Sequence, residues 1–102
     1  MANIILIGMP GAGKSTVGVL LAKASSRAFV DTDLVVQASE GRRLQQIIDR
    51  FGLEKLLEIE QRCVMSLRPE NAVVATGGSV VYSEPAMMHL KKLGSVVFLN
   101  VS

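Results

Sequence analysis

GMPGAGKST, at residues 8–16, is the most informative stretch of the sequence, and it matches the pattern G-x-x-x-x-G-K-[ST] in full. Glycines in such a loop let backbone N–H groups wrap phosphate oxygens, and the helix behind the loop adds its N-terminal dipole. The alternative is a glycine-rich turn that binds no ligand and happens to precede a helix. The pattern favours a phosphate site, because an apolar strand-like run precedes it and a helix-like segment follows it.

The predicted nucleotide-binding residues are those of the loop and of the first turn of the helix: Gly8, Gly11, Ala12, Gly13, Lys14, Ser15 and Thr16. Lys14 supplies a positive charge for the β- and γ-phosphates of ATP, which also makes it a predicted catalytic residue. The Ser15 hydroxyl is a predicted ligand of Mg²⁺. ATP and Mg²⁺ are therefore the expected cofactors.

Outward from this loop, short apolar runs alternate with helical patterns. Residues 4–7 are too few for a helix and read as a buried parallel strand, as do residues 28–30, 72–75 and 95–101. Apolar residues at helical spacing predict helices over 14–24, 34–40, 44–51, 53–67 and 83–93. This alternation predicts an α/β protein with a three-layer αβα P-loop NTPase fold, a parallel sheet and helices on both faces.

Composition limits the class of protein. The 102 residues, 49% of them hydrophobic, predict a single domain over 1–102 with one modest core. The net charge is only +2, its basic residues are scattered and aromatic residues make up 4%, so no nucleic-acid partner is expected. No apolar run is long enough to span a membrane. The single cysteine, Cys63, fits a reducing, cytoplasmic setting, and we expect a monomer.

Two acidic residues follow the second predicted strand. Parallel strands bind ligands at their carboxyl ends, so Asp31 and Asp33 are expected to share one crevice with the loop and with residues 76–79. One of the two can face the metal while the other faces the phosphate acceptor, and Asp33 is the candidate that orients or deprotonates the acceptor hydroxyl. The alternative is that one of the two only caps the next helix.

Three further residues are candidates for the acceptor site. Gly77 and Gly78 follow the third predicted strand and offer backbone amides, although a glycine pair there is also typical of a tight turn. Glu60 interrupts an apolar helical stripe and is costly to bury without a partner. It either reaches the crevice or lies at the wet edge of the stripe.

These residues together resemble the shikimate kinases, a family of the nucleoside monophosphate kinase-like group. The features that match are the loop GMPGAGKST, the triplet Asp31, Thr32 and Asp33, the glycines Gly41 and Gly52, and the segment ATGGS from Ala75. The resemblance implies that Lys14 binds ATP phosphates and that Ser15 and Asp31 hold Mg²⁺. It also implies that Asp33, Gly77 and Gly78 bind a shikimate-like acceptor, and that the reaction yields shikimate 3-phosphate.

The chain departs from that family in three places. Leu57 stands where the family has a carboxylate-binding arginine, with Arg62 one turn further on as a candidate substitute, and Ser79 replaces the third glycine. The chain also ends near the point where the family's lid would begin, so we expect a fold without its C-terminal part. A different acceptor, or nucleotide binding without phosphate transfer, is the alternative function.

Overall fold

The structure, a computed structural model, describes residues 2–8 and 13–99. Within these ranges the strands are β1 (Asn3–Gly8), β2 (Ala28–Asp31), β3 (Ala72–Ala75) and β4 (Gly94–Leu99). The helices are α1 (Lys14–Ala24), α2 (Thr32–Glu40), α3 (Leu44–Phe51), α4 (Leu53–Ser66) and α5 (Glu84–Leu93). A single turn of 3-10 helix, Val80–Tyr82, precedes α5. No helix in the described ranges is both long enough and apolar enough to cross a membrane.

The strands form one parallel sheet in the order β2-β3-β1-β4. In the register of the sheet Leu6 pairs with Ala75, and Ala75 pairs with Asp31. The carboxyl ends of the three neighbouring strands therefore lie at one level. The three segments that follow them must emerge side by side.

Both faces of the sheet are covered, because successive side chains of a strand point to opposite faces. Ile5, Ile7 and Val74 pack in one cluster with α4 and α5, whereas Leu6 and Val73 pack with Ala22 of α1 on the other face. A third cluster joins α2, α3 and α4. The predicted α/β class, with a parallel sheet between two helical layers, is confirmed.

The largest differences from the predicted elements occur at helix starts. Helix α2 begins at Thr32 rather than residue 34, because the Asp31 carboxylate accepts a hydrogen bond of 2.9 Å from the Asp33 N–H and caps the helix. Helix α5 begins at Glu84, where the Ser83 hydroxyl accepts from the Ala86 N–H. The fourth strand is described to Leu99, and the last residues of its predicted range lie outside the described residues.

Glycine at position 18 brings α1 close to the sheet. A Cβ atom on Gly18 would lie 2.6 Å from the ring of Phe29 in β2, closer than real atoms approach. Helix α1 can therefore pack directly over β2 and β3 only because this residue has no side chain. The close packing sets the first turn of α1 beside the end of β2.

The buried Asn3 side chain fastens the opposite end of the sheet. Its amide donates to the carbonyls of Pro69 and Leu93 at 3.0 and 2.9 Å, and its oxygen accepts from the Ala72 N–H at 2.8 Å. These bonds join β1 to the start of β3 and to the end of α5. Only 3% of Asn3 is exposed, so water cannot replace the bonds.

We expect Asn3→Ala to lower the free energy of unfolding by about 3 kcal/mol, because it leaves buried backbone groups without partners. Urea denaturation followed by circular dichroism measures this change. The matched control is Gln45→Ala, which removes an exposed bond to Asp49 on α3 and should cost less than about 0.5 kcal/mol. Equal losses in the two variants would contradict the role assigned to Asn3.

Candidate functional site

A polar cavity of about 290 Å³ opens at the carboxyl ends of β1, β2 and β3. The residues on its helix side are those around the first turn of α1: Gly13, Lys14, Ser15 and Thr16. The opposite side consists of residues that follow β2 and β3: Asp31, Asp33, Thr76, Gly77 and Gly78. The prediction that the three strand ends share one crevice is therefore confirmed for residues 13–16, Asp31, Asp33 and residues 76–78. Ser79, predicted to lie there too, lines a second cavity instead.

Ser15 and Asp31 meet directly at the floor of this polar cavity. The Ser15 hydroxyl donates to Asp31 Oδ2 at 2.9 Å, while Asp31 Oδ1 caps helix α2. The sequence left open whether Asp31 faces the crevice or only caps a helix, and the carboxylate does both. Oδ2 binds the Ser15 hydroxyl in the crevice, and Oδ1 caps the helix.

The pair formed by Ser15 and Asp31 fits a magnesium ion. Neighbouring ligands of an octahedral Mg²⁺ at 2.0–2.1 Å lie about 2.9 Å apart, close to the separation of these two oxygens. Mg²⁺ commonly uses one or two protein oxygens, with phosphates and water as its other ligands. Across residues 2–8 and 13–99, no group of three or more His, Cys, Asp and Glu side chains could hold a metal on its own. A metal here would depend on the nucleotide.

The residues predicted to bind phosphate lie at the start of α1. Lys14 is buried, and its Nζ donates to the Gly8 carbonyl at 2.9 Å, across the mouth of the loop. Gly13 has a left-handed backbone with φ of 77°, which glycine adopts without strain. Ser15 and Thr16 are exposed toward the polar cavity. Gly11 and Ala12, also predicted ligands, lie outside the described residues.

Asp33 lies in the first turn of α2, facing the backbone that follows β3. A Cβ atom on Gly77 would be 2.9 Å from Asp33 Oδ1, so a side chain at position 77 would displace the carboxylate. Burial raises the pKa of Asp33, the Asp31 carboxylate raises it further, and the Lys14 ammonium partly opposes both effects. Asp33 is thus a stronger base than an ordinary aspartate.

The backbone of Gly77 differs from the sequence prediction in one respect. Its N–H was expected to be open to an acceptor, and this is wrong, because the N–H donates to the Thr32 hydroxyl at 3.1 Å. The lack of a side chain at Gly77, rather than its amide, leaves space beside Asp33. Thr76 anchors the same segment, since its N–H and hydroxyl both donate to the Leu6 carbonyl.

Glu60 is half-buried and lies beside Gly77, but it does not line the polar cavity. One carboxylate oxygen accepts a hydrogen bond from the Ser79 hydroxyl, and the other lies 3.8 Å from the position a Cβ atom would take on Gly77. Burial raises the pKa of Glu60, the Ser79 hydrogen bond opposes this rise, and the Asp33 carboxylate adds to it.

An adjacent cavity of about 300 Å³ lies on the far side of Glu60, between α4 and the segment after β3. Apolar side chains line much of it: Leu57, Val80, Tyr82 and Ala86. The acids Glu54, Glu58 and Glu60 lie around it, and none of its lining residues is basic. Arg62, predicted as a candidate substitute for an arginine at position 57, is exposed and lines neither cavity.

Sequence reasoning missed two hydrogen bonds of this region. It named Thr32 only as part of the triplet Asp31, Thr32 and Asp33, yet the Thr32 hydroxyl accepts from the Gly77 N–H, 45 positions away. It placed Ser79 in the crevice with residues 76–78, yet the Ser79 hydroxyl donates to Glu60. Both contacts join segments far apart in the chain, and no local pattern indicates them.

Comparisons with known proteins show the family of this chain. The family profile described as shikimate kinase matches residues 10–102. A shikimate kinase of Thermodesulfovibrio yellowstonii is 39% identical over the whole of this chain and 60% of its own length. The solved shikimate kinase of Aquifex aeolicus has 36% identity and a TM-score of 0.90 over 98% of this chain and 60% of its own. That of Acinetobacter baumannii, in complex with shikimate, has 33% identity and a TM-score of 0.92 over 100% and 57%.

The chain spans about 60% of the length of the relatives it matches. The described fold corresponds to that shared part. The matches extend along the chain and include both sides of the polar cavity.

We expect Asp33→Asn to raise the free energy of unfolding at pH 8. The native pKa of Asp33 is raised, so its charged form is destabilised in the folded chain, and an amide removes that cost. The stability advantage of Asp33→Asn over the unaltered chain should shrink as the pH falls through the raised native pKa toward the ordinary value of 3.8. At that pH the Asp33 carboxyl of the unaltered chain is itself protonated. Urea denaturation at several pH values between 4 and 8 measures the difference.

The matched control for this series is Asp49→Asn on the exposed face of α3, which should change the free energy of unfolding by less than about 0.5 kcal/mol at each pH. A lower stability of Asp33→Asn at pH 8 would contradict the prediction. It would mean that the Asp33 charge stabilises the fold.

Proposed function

Since this chain belongs to the shikimate kinase family, we propose that it carries out ATP-dependent phosphorylation of a small hydroxylated metabolite, with shikimate as the acceptor. One observation carries the proposal: Lys14, Ser15, Asp31 and Asp33 converge on a single polar cavity. This set combines a cation for phosphates, two oxygens for a metal and a carboxylate for a hydroxyl group. Phosphate transfer requires these groups in one place.

In this proposal the nucleotide binds with its phosphates at the start of α1. The N–H groups of the loop and of the first helical turn hold the phosphate oxygens, and Lys14 exchanges its bond to the Gly8 carbonyl for the β- and γ-phosphates. Ser15 and Asp31 hold Mg²⁺, which neutralises the negative charge that collects on the phosphates during transfer. The residues of the loop serve as an ATP-binding Walker A motif.

Asp33 then acts on the acceptor. Its carboxylate accepts a hydrogen bond from the reacting hydroxyl, whose oxygen bonds to the γ-phosphorus as the bond between that phosphorus and the ADP oxygen breaks. The hydroxyl proton passes to Asp33. A raised pKa suits this role, because a carboxylate that binds protons more tightly is a better general base near neutral pH. Gly77 leaves space for the acceptor beside the carboxylate, and Gly78 lines the same cavity.

Shikimate is the first acceptor in this proposal because the relatives are named shikimate kinases, and one of them was solved with shikimate. A second candidate is a hydroxylated acceptor without a carboxylate. The adjacent cavity favours it, since Leu57 and the surrounding acids offer no positive charge for a carboxylate there. Nucleotide binding without transfer is the remaining alternative.

The proposal also covers the setting of the reaction. We assign residues 1–102 to one P-loop kinase-like domain that acts in the cytoplasm as a monomer, without nucleic-acid or membrane partners. The scattered basic residues and the low aromatic content support this assignment. The buried, unpaired Cys63 is consistent with a reducing compartment.

The direct test is release of ADP from ATP and Mg²⁺ on addition of shikimate. We expect release that depends on shikimate, and we expect Lys14→Ala to weaken ATP binding at least about 100-fold, because a charge-assisted contact to the phosphates is lost. Isothermal titration with ATP and Mg²⁺ measures the binding. Circular dichroism checks that the variant retains its fold.

Lys23→Ala is the matched control, since Lys23 is exposed in the last turn of the same helix. It should bind ATP as the unaltered chain does. ATP binding without turnover on any acceptor would favour the alternative that the chain binds nucleotide but transfers no phosphate. Unchanged ATP affinity in Lys14→Ala would contradict the placement of the phosphates.

The Leu57→Arg variant separates the two acceptor classes. If the shikimate carboxylate enters the adjacent cavity, an arginine there should tighten shikimate binding about tenfold. Binding of methyl shikimate, which has no charge, should change little. Leu53→Arg is the control, because Leu53 is exposed on the same helix and does not line the cavity. Equal shikimate affinity in the unaltered chain, Leu57→Arg and Leu53→Arg would show that the shikimate carboxylate binds elsewhere.

A further inference from the structure

Glu60 lines the adjacent cavity and also lies close to Gly77 of the polar cavity, and its two carboxylate oxygens have different surroundings. Oε2 accepts a hydrogen bond from the Ser79 hydroxyl, which belongs to the segment after β3. Oε1 lies 3.8 Å from the point where a Cβ atom on Gly77 would be. One oxygen is thus fixed by the protein, while the other faces the backbone beside the polar cavity.

The same point next to Gly77 is 2.9 Å from Asp33 Oδ1. A carboxylate oxygen of α4 and one of α2 therefore approach the same small volume, which glycine leaves unfilled. Two carboxylates at this separation repel each other, and each is half-buried. Such an arrangement needs an anchor that holds Glu60 in place.

We infer, building on the proposed function, that Ser79 is a positioning residue whose hydroxyl holds Glu60 so that its second oxygen accepts a hydrogen bond from the acceptor. Asp33 binds the reacting hydroxyl, and Glu60 binds a second hydroxyl of the same molecule. The acceptor class that fits is a small molecule with two neighbouring hydroxyl groups. Ser79 acts through Glu60 and does not itself touch the acceptor.

The anchor is effective for two physical reasons. A glutamate side chain has several rotatable bonds, and fixing them before the acceptor arrives removes part of the entropy cost of binding. A half-buried carboxylate without a partner would also gain by turning toward water, away from Gly77. The hydrogen bond from the Ser79 hydroxyl fixes the Glu60 side chain and gives its carboxylate a partner on the cavity side. It therefore lowers the entropy cost of binding and keeps the carboxylate from turning toward water.

The charged surroundings of Glu60 are known from each element packed around it. Asp33 faces it from α2, and Glu54 and Glu58 line the adjacent cavity from its own helix. Glu58 also pairs with Lys55 in an exposed ion pair. The segment after β3 adds the titratable Tyr82. Since the Ser79 bond lowers the pKa of Glu60, loss of the hydroxyl should raise that pKa.

The test compares Ser79→Ala and Ser79→Gly with Ser79→Thr, which keeps a hydroxyl. The pKa of Glu60 is followed by carbon NMR of its carboxyl group without nucleotide or acceptor, and shikimate affinity is measured by titration. We expect the alanine and glycine variants to raise the pKa of Glu60 and to weaken shikimate binding about tenfold, with ATP affinity unchanged. The threonine variant should restore both properties.

Ser83→Ala is the matched control. The Ser83 hydroxyl lines the same cavity and also donates to a side chain of α4, but to Gln61 rather than Glu60. The Ser83→Ala variant should leave the pKa of Glu60 and the affinity for shikimate unchanged. An unchanged pKa of Glu60 in Ser79→Ala, or unchanged shikimate affinity in both hydroxyl-free variants, would overturn the inference. Failure of ADP release alongside the expected changes would count against the kinase proposal alone.

Discussion

The register of three parallel strands is the constraint on which the site depends. Leu6, Ala75 and Asp31 occupy one level of the sheet, so the segments that follow these residues emerge next to each other. Both polar groups of Thr76 bind the Leu6 carbonyl and fix the level at the end of the ladder. A shift of one residue would turn every side chain of a strand to the opposite face. Because β1 and β3 are buried on both faces, their apolar pattern alone does not set the register. The hydrogen bonds of Asn3 at one end and Thr76 at the other hold it.

The register also concentrates negative charge, which opposes folding. Asp33 lies close to both Asp31 and Glu60, and the pKa values of Asp33 and Glu60 are raised mainly by burial. The Lys14 ammonium offsets part of the rise in the pKa of Asp33. Hydrogen bonds from Ser15 and Ser79 hold the carboxylates of Asp31 and Glu60. Sites that bind cations and move protons commonly retain such strain. In the proposed function, Mg²⁺ and the acceptor hydroxyls supply the missing partners.

Much of the fold follows from the sequence, because its signals are local. The apolar runs of β1 and β3 are short and end at glycine or threonine, and the stripe of α3 ends at Gly52. The grouping of the loop with Asp31, Asp33 and Gly77 follows from a general property of parallel sheets. The bonds from Thr32 to Gly77 and from Ser79 to Glu60 do not follow, because each depends on the distance between two elements. The wrong prediction for the Gly77 amide has this same origin.

The two cavities differ in how strongly their residues are constrained. In the polar cavity Lys14, Ser15, Asp31 and Thr76 form hydrogen bonds, and a side chain at Gly77 would move Asp33. The adjacent cavity is formed by side chains of α4 and of the segment before α5, which can change without altering the strand register. Leu57 and Ser79, where the chain departs from its family's pattern, line this second cavity. In the proposed function, the groups for phosphate transfer are therefore tied to the fold, whereas selection of the acceptor can vary through the residues beside Glu60.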